Sequence, residues 1–226
     1  MPQSSTADLP SRDDATAEMI AAAGDFYRFG WLHGTSGNLS VRLSESEVLI
    51  TASGKSKGAL TPDDFLIVDP QGKPASKKGP RPSAETGVHM AIYKALPEVG
   101  AVYHVHHLHA ALCGKRDFKQ GYTFVNDVEM IKGLGLWEPD AHARIPLVEN
   151  HHDLDELARA VAAHLNSEDF DATVPGVNLR NHGVYAWGKT PADARRHIET
   201  FGYLFEYSWL CPMHDSESQA VRGFAR

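Results

Sequence analysis

Apolar positions recur at helical spacing over residues 15–29, where Ile20, Ala23 and Tyr27 form one stripe and Gly30 stands where a C-terminal cap belongs. The same period predicts a helix over 83–96. There Val88, Ile92 and Leu96 are spaced by four, Ser83 offers a cap, Glu85 sits in a first turn that favours carboxylates, and Pro97 ends the run. Ala110 and Ala111 predict a short helix. Asp153 and Glu156 form a capping pair ahead of Leu154, Leu157, Ala158, Val161 and Leu165, and Thr190-Pro191 opens a last helix carrying Ile198, Phe201 and Phe205. Short β-prone runs at 39–43, 48–51, 65–68, 101–107, 174–179 and 184–187 are separated by turn-forming residues and read as strands.

Strands outnumber helices and several are joined by short turns. The expected fold is therefore a single α/β domain with a mixed, mainly antiparallel central sheet and helices on both faces. Residues 1–13, rich in Ser, Asp and Pro, are expected to be a disordered lead-in, residues 14–212 the domain, and 213–226 a tail. The stretch 115–142 shows no clear period.

The run Ala101-Val102-Tyr103-His104-Val105-His106-His107 carries the first sign of chemistry. In a strand, His104 and His106 share a face with Cα atoms about 7 Å apart, close enough for both rings to lean onto one cation. The chain has 13 His, so such pairs also arise by chance, and His107 and His109 offer other registers.

Composition narrows the choices. The net charge is −7, and apart from the short patch from Lys77 to Arg81 no basic run offers a nucleic-acid surface. That patch could attract a phosphorylated small molecule. Cys113 and Cys211 make no disulfide framework, which suggests a reducing compartment, and they leave any metal to histidine and carboxylate. No apolar run approaches the ~18 residues of a membrane span, and no signal peptide precedes the first helix, so the cytoplasm is the expected location.

Five stretches then act together: GTSGNLS (34–40), SGKSKG (53–58), PSAETGVHMAIY (82–93), AVYHVHH (101–107) and NHGVYAWG (181–188). In order and spacing they resemble the class II aldolase/adducin superfamily of metal-dependent sugar-phosphate enzymes, over roughly residues 15–210. EMIKG (129–133) and RNHGVYAWGKT (180–190) most resemble its dehydratase branch. The resemblance implies a zinc ion held by His104, His106 and His182, one per subunit. It implies Glu129 as general acid/base, with Glu85 as the rival or a fourth ligand. Gly37, Asn38, Ser53, Gly54 and Ser83 match its phosphate-contacting positions; Lys57, and with it Lys55, could add charge. Ala84 departs from the aldolase pattern, where a second Ser is common.

The activity so implied is zinc-dependent dehydration of 5-methylthioribulose 1-phosphate to 2,3-diketo-5-methylthiopentyl 1-phosphate, by a homo-oligomer, a tetramer for preference. Phe124, Met130, Leu134, Leu136 and Trp137 are candidates for an apolar pocket around the methylthio group. The rivals are an aldolase of the fuculose-phosphate type, a zinc hydrolase, and a non-catalytic adducin-like interaction module. The last is disfavoured by the presence of all three histidines.

Overall fold

Ser11 accepts a hydrogen bond from the Asp14 backbone and starts α1 (Arg12–Arg28), so Arg12 and Asp13 are helical rather than part of a lead-in. The computed structural model describes residues 9–76 and 78–211; Lys77 and the expected tail at 213–226 lie outside them. In chain order there follow β1 (Asn38–Arg42), β2 (Val48–Thr51), β3 (Phe65–Val68), α2 (Thr86–Ala95), β4 (Ala101–Val105) and α3 (Leu108–Arg116). The second half holds β5 (Tyr122–Asn126), β6 (His142–Val148), α4 (Leu154–Leu165), β7 (Gly176–Leu179), β8 (Val184–Gly188) and α5 (Pro191–Leu210).

The strands form one sheet in the order β3-β2-β1-β4-β8-β7-β6-β5. Every pairing is antiparallel except β6 with β7, so the sheet is mixed and mainly antiparallel. Side-chain alternation divides the interior into two cores. Leu39, Val41, Tyr103, Val105, Val184 and Ala186 face α1, α3 and α5, whereas Val102, Tyr185, Trp187, Val48 and Ile50 face α2 and α4. Phe201 and Phe205 of α5 are wholly buried, which stabilises this docking by roughly 2–3 kcal/mol each. Tyr203 and Trp209 of the same helix remain partly exposed. Among the described residues no helix is long and apolar enough to cross a membrane.

Ser83 does not cap α2. It makes the turn before it, its carbonyl accepting from the Thr86 N–H, and the helix begins at Thr86. Glu85 takes the N-cap position without making a side-chain cap bond. Its carboxylate is thereby left for other partners.

Candidate active site

Antiparallel pairing sets Asn38 of β1, His104 of β4 and Tyr185 of β8 in one row across the sheet, on the face that meets α2. His104 is fully buried, and its Nδ1–H donates to the Val184 carbonyl at 3.0 Å. That bond fixes the tautomer and turns a bare Nε2 inward, where it has no hydrogen-bond partner. A buried nitrogen without a partner calls for a cation or a proton.

Three other groups converge on it. His106 lies just past the end of β4, held by its backbone N–H to the Trp31 carbonyl. His182 sits in the β7–β8 turn beside Asn181, which has φ +54°, and its Nε2 is 2.9 Å from that of His106. Its Nδ1 faces Asn150 Oδ1 at 3.3 Å, which again leaves Nε2 for the centre. Glu85 reaches in from the start of α2, with Oε1 3.3 Å from His182 Nε2 and Oε2 3.6 Å from His104 Nε2. These four offer ligand atoms all within 4.8 Å of one another. Three imidazoles and one carboxylate are a donor set suited to a divalent cation of the zinc type.

The protonation states agree with that use. Burial holds the His104 pKa well below its usual value, and potential positive charge on His106 and His182 lowers it further. Burial, then His182 and Lys57, bring His106 down to about 4. Burial also lowers His182, opposed by the Glu85 carboxylate. The rings are neutral near pH 7, as metal binding requires. Tyr185 stacks on His104 with ring centroids 4.0 Å apart. Burial and then the charge of Glu85 push its phenol well above the usual range.

A cleft of about 380 Å³ opens from this centre. Gly37, Asn38, Ser53, Gly54, Lys57 and Ser83 line it along with Glu85 and His106, so the loops expected to cradle phosphate and the imidazole cluster share one cavity. Gly37 has φ +70°, and a Cβ there would meet Leu32 and the His104 carbonyl at 2.1 and 2.7 Å, so only glycine fits. Gly54 has φ +72° with nothing within 4 Å of a Cβ, which leaves its backbone open to a ligand. The Lys57 ammonium is buried and donates to the Thr35 and Lys55 carbonyls at 3.1 and 2.9 Å, retaining a third N–H. Burial lowers its pKa, opposed by Asp64. Lys55 is paired with Asp64 at 2.7 Å instead. The Asn38 side chain is engaged by Glu85 and His89.

Glu129 stands apart from this cluster in its own chain. It opens a short 3-10 helix, its side chain is 82 % exposed, and it pairs with Lys132 at 2.7 Å. None of the apolar residues expected around a methylthio group lines this cleft in its own chain. Phe124 and Leu134 are buried, Trp137 is 70 % exposed, and the large apolar side chain lining the cleft is Leu154 of α4. A second cluster, His107, His109 and Glu206, is excluded as a metal site by its hydrogen bonds. His107 Nδ1 accepts two backbone N–H groups at the start of α3, so its Nε2 keeps the proton and has no lone pair to give.

Residues 17–209 match the family described as the class II aldolase and adducin N-terminal domain. Among curated proteins, the methylthioribulose-1-phosphate dehydratase of Persephonella marina is 43 % identical, over 80 % of this chain and 82 % of that one. The enzyme of the same name from Pseudomonas syringae pv. tomato is 39 % identical, over 87 % and 94 %. The solved L-fuculose-1-phosphate aldolase of Thermus thermophilus superposes with TM-score 0.65 at 23 % identity, covering 88 % of this chain and 97 % of that one, which shows the shared fold.

Proposed function

The chain belongs to the class II aldolase and adducin N-terminal domain family, and from that membership and the site's geometry we infer that it removes water from methylthioribulose 1-phosphate. It is thus a lyase of methionine salvage. The observation that carries this reading is the meeting of three imidazoles and a carboxylate in a cleft whose other wall suits an anion.

The residues fit a divalent cation, since the buried Nε2 of His104 has no partner and faces His106, His182 and Glu85. These four would hold it, with zinc, one per subunit, the ion this donor set favours. When bound, the ion polarises the ketose carbonyl and makes the neighbouring C–H more acidic. Ser53, Gly54, Ser83 and Lys57 hold the phosphate and orient the sugar. A carboxylate takes the C3 proton, the electron pair so released expels the C4 hydroxyl, and a returned proton carries it off as water. The resulting enol tautomerises to the 2,3-diketone.

In this account Glu129 is the acid/base and comes from another copy of the chain, while Glu85 stays with the imidazoles. The EMIKG resemblance and the exposure of Glu129 support that assignment, and it calls for a homo-oligomer, a tetramer in our reading. Cys113 and Cys211 are both free thiols, which supports a reducing, cytoplasmic setting.

The test is a product assay by mass spectrometry on the metal-loaded protein with methylthioribulose 1-phosphate. Loss of one water supports the reading. Cleavage between C3 and C4 would make the chain an aldolase. Mixing Glu129→Ala chains with His104→Ala chains should restore activity if Glu129 acts across subunits, because one mixed site then has both groups. Full activity of Glu129→Ala chains on their own would return the role to Glu85.

A further inference from the structure

Behind Glu85 lies a run of buried polar groups that the proposed chemistry does not use. Asn38 Nδ2 donates to Glu85 Oε2 at 2.7 Å, and Asn38 Oδ1 is in close hydrogen-bond contact with His89 Nε2. His89 Nδ1 meets Ser40 Oγ at 2.7 Å, and Ser40 Oγ meets the Tyr93 hydroxyl at 2.9 Å. His89 and Ser40 are completely buried, and Asn38 nearly so.

Chemistry fixes the direction of each bond. A carboxylate only accepts, so the Asn38 amide must present its N–H side to Glu85 and its oxygen to His89. That oxygen only accepts, so His89 carries its proton on Nε2. The bare Nδ1 then accepts from Ser40 at 2.7 Å, a closer acceptor for that proton than the Val102 carbonyl at 3.4 Å, and the Ser40 oxygen accepts in turn from Tyr93. Every donor along the row points toward Glu85. Turning the amide over would set oxygen against carboxylate oxygen, and N–H against N–H, inside the protein.

We propose that His89 is a positioning residue of the metal centre. By donating to Asn38 Oδ1 it holds the amide in the one orientation that gives an N–H to Glu85 Oε2, and so fixes the carboxylate beside His104 and His182. α2 supplies both ends of this device: Glu85 precedes its first turn, and His89 lies four residues on, facing the sheet. Asn38 of β1 closes the loop between them. The inference rests on the reading of Glu85 as part of a metal centre.

Two substitutions separate positioning from simple packing. Gln at 89 places an amide N–H near the position of Nε2, whereas Asn at 89 reproduces only the Nδ1 end, toward Ser40, and falls short of Asn38. Zinc affinity is measured by calorimetry on the full-length apo-protein, beside kcat, KM and the thermal midpoint. His89→Asn is expected to weaken zinc binding and lower kcat about 10- to 100-fold, with KM nearly unchanged. His89→Gln is expected to keep both near the wild-type value. Wild-type zinc affinity in His89→Asn would overturn the proposal, and so would equal losses in the two variants, as a merely structural histidine would give. If His89→Asn does not fold, Asn38→Leu removes the same N–H from Glu85: weaker zinc binding supports the proposal, and unchanged binding overturns it. Zinc affinity is read without substrate. A wild type that binds zinc yet leaves methylthioribulose 1-phosphate intact would therefore count against the assigned reaction and not against the role of His89.

Discussion

The ring of Tyr185 lies flat against that of His104, with centroids 4.0 Å apart and planes 13° from parallel. The two residues are direct cross-strand partners, so the stack follows from the β4–β8 register. Tyr185→Phe keeps the stack and is expected to retain metal and stability. Tyr185→Ala removes a wholly buried ring and is expected to cost about 3–5 kcal/mol, with weaker metal binding as His104 loosens. Denaturant unfolding and metal titration of both variants check this.

His89 and His107 are buried and neutral, with pKa values brought down by burial to about 3 and about 4. In the unfolded chain both take up protons near pH 6.5. The unfolded state therefore binds more protons than the folded one below that pH, so stability is present above pH 6.5 and is lost as the pH falls toward 4. Each of the two removes on the order of 1.4 kcal/mol per pH unit in that window. Urea midpoints between pH 7.5 and 4.5 measure the slope, and His107→Gln is expected to flatten it.

The strand pairings and the helices were legible in the sequence to different degrees. The last two helices follow the apolar period and their caps, α1 and α2 follow the period but start at residues other than those expected, α3 is signalled only by Ala110 and Ala111, and six strands follow β-prone runs between turns. β5 falls in the 115–142 stretch without a clear period, and β6, which Pro146 interrupts and which lies next to the edge strand, is not among the expected strands. His104, His106 and His182 come together because β4 and the β7–β8 turn end at the same place. Tyr185, His89 and the engagement of Asn38 gave no signal. Their roles depend on which residues a register sets opposite each other, and a fully buried histidine in a helix reads like any other core position.

Lys57 keeps one ammonium N–H after serving two carbonyls, beside the glycine loops of the cleft. Lys57→Met preserves its apolar stem and removes the charge-assisted bond to an anion. KM is expected to rise about 10- to 100-fold, the equivalent of about 1.5–3 kcal/mol, with metal content unchanged. Steady-state kinetics and metal analysis test it, and inorganic phosphate should inhibit the variant less than the wild type.

Gly183 follows His182, and a Cβ there would stand 2.2 Å from the Val105 carbonyl oxygen and 3.0 Å from His106 Cα. Both are backbone, so neither can swing aside. Gly183→Ala is expected to push the β7–β8 turn away from the end of β4, separating His182 from His106. The expected cost is about 1–3 kcal/mol of stability, together with a loss of metal affinity larger than that of a control such as Gly24→Ala, where an added Cβ meets nothing closer than 3.9 Å. Calorimetric metal titration reads the difference.

If one divalent cation held by His104, His106, His182 and Glu85 carries the dehydration, activity must come and go with that metal. The most direct measurement strips the protein with chelator, returns zinc in steps, and follows the methylthioribulose 1-phosphate product by mass spectrometry. The stripped protein is expected to show no activity, and water loss to rise to a plateau at one zinc per chain, with His104→Ala failing to recover. Full water-loss activity without metal, or recovery in His104→Ala equal to the wild type, would contradict that dependence.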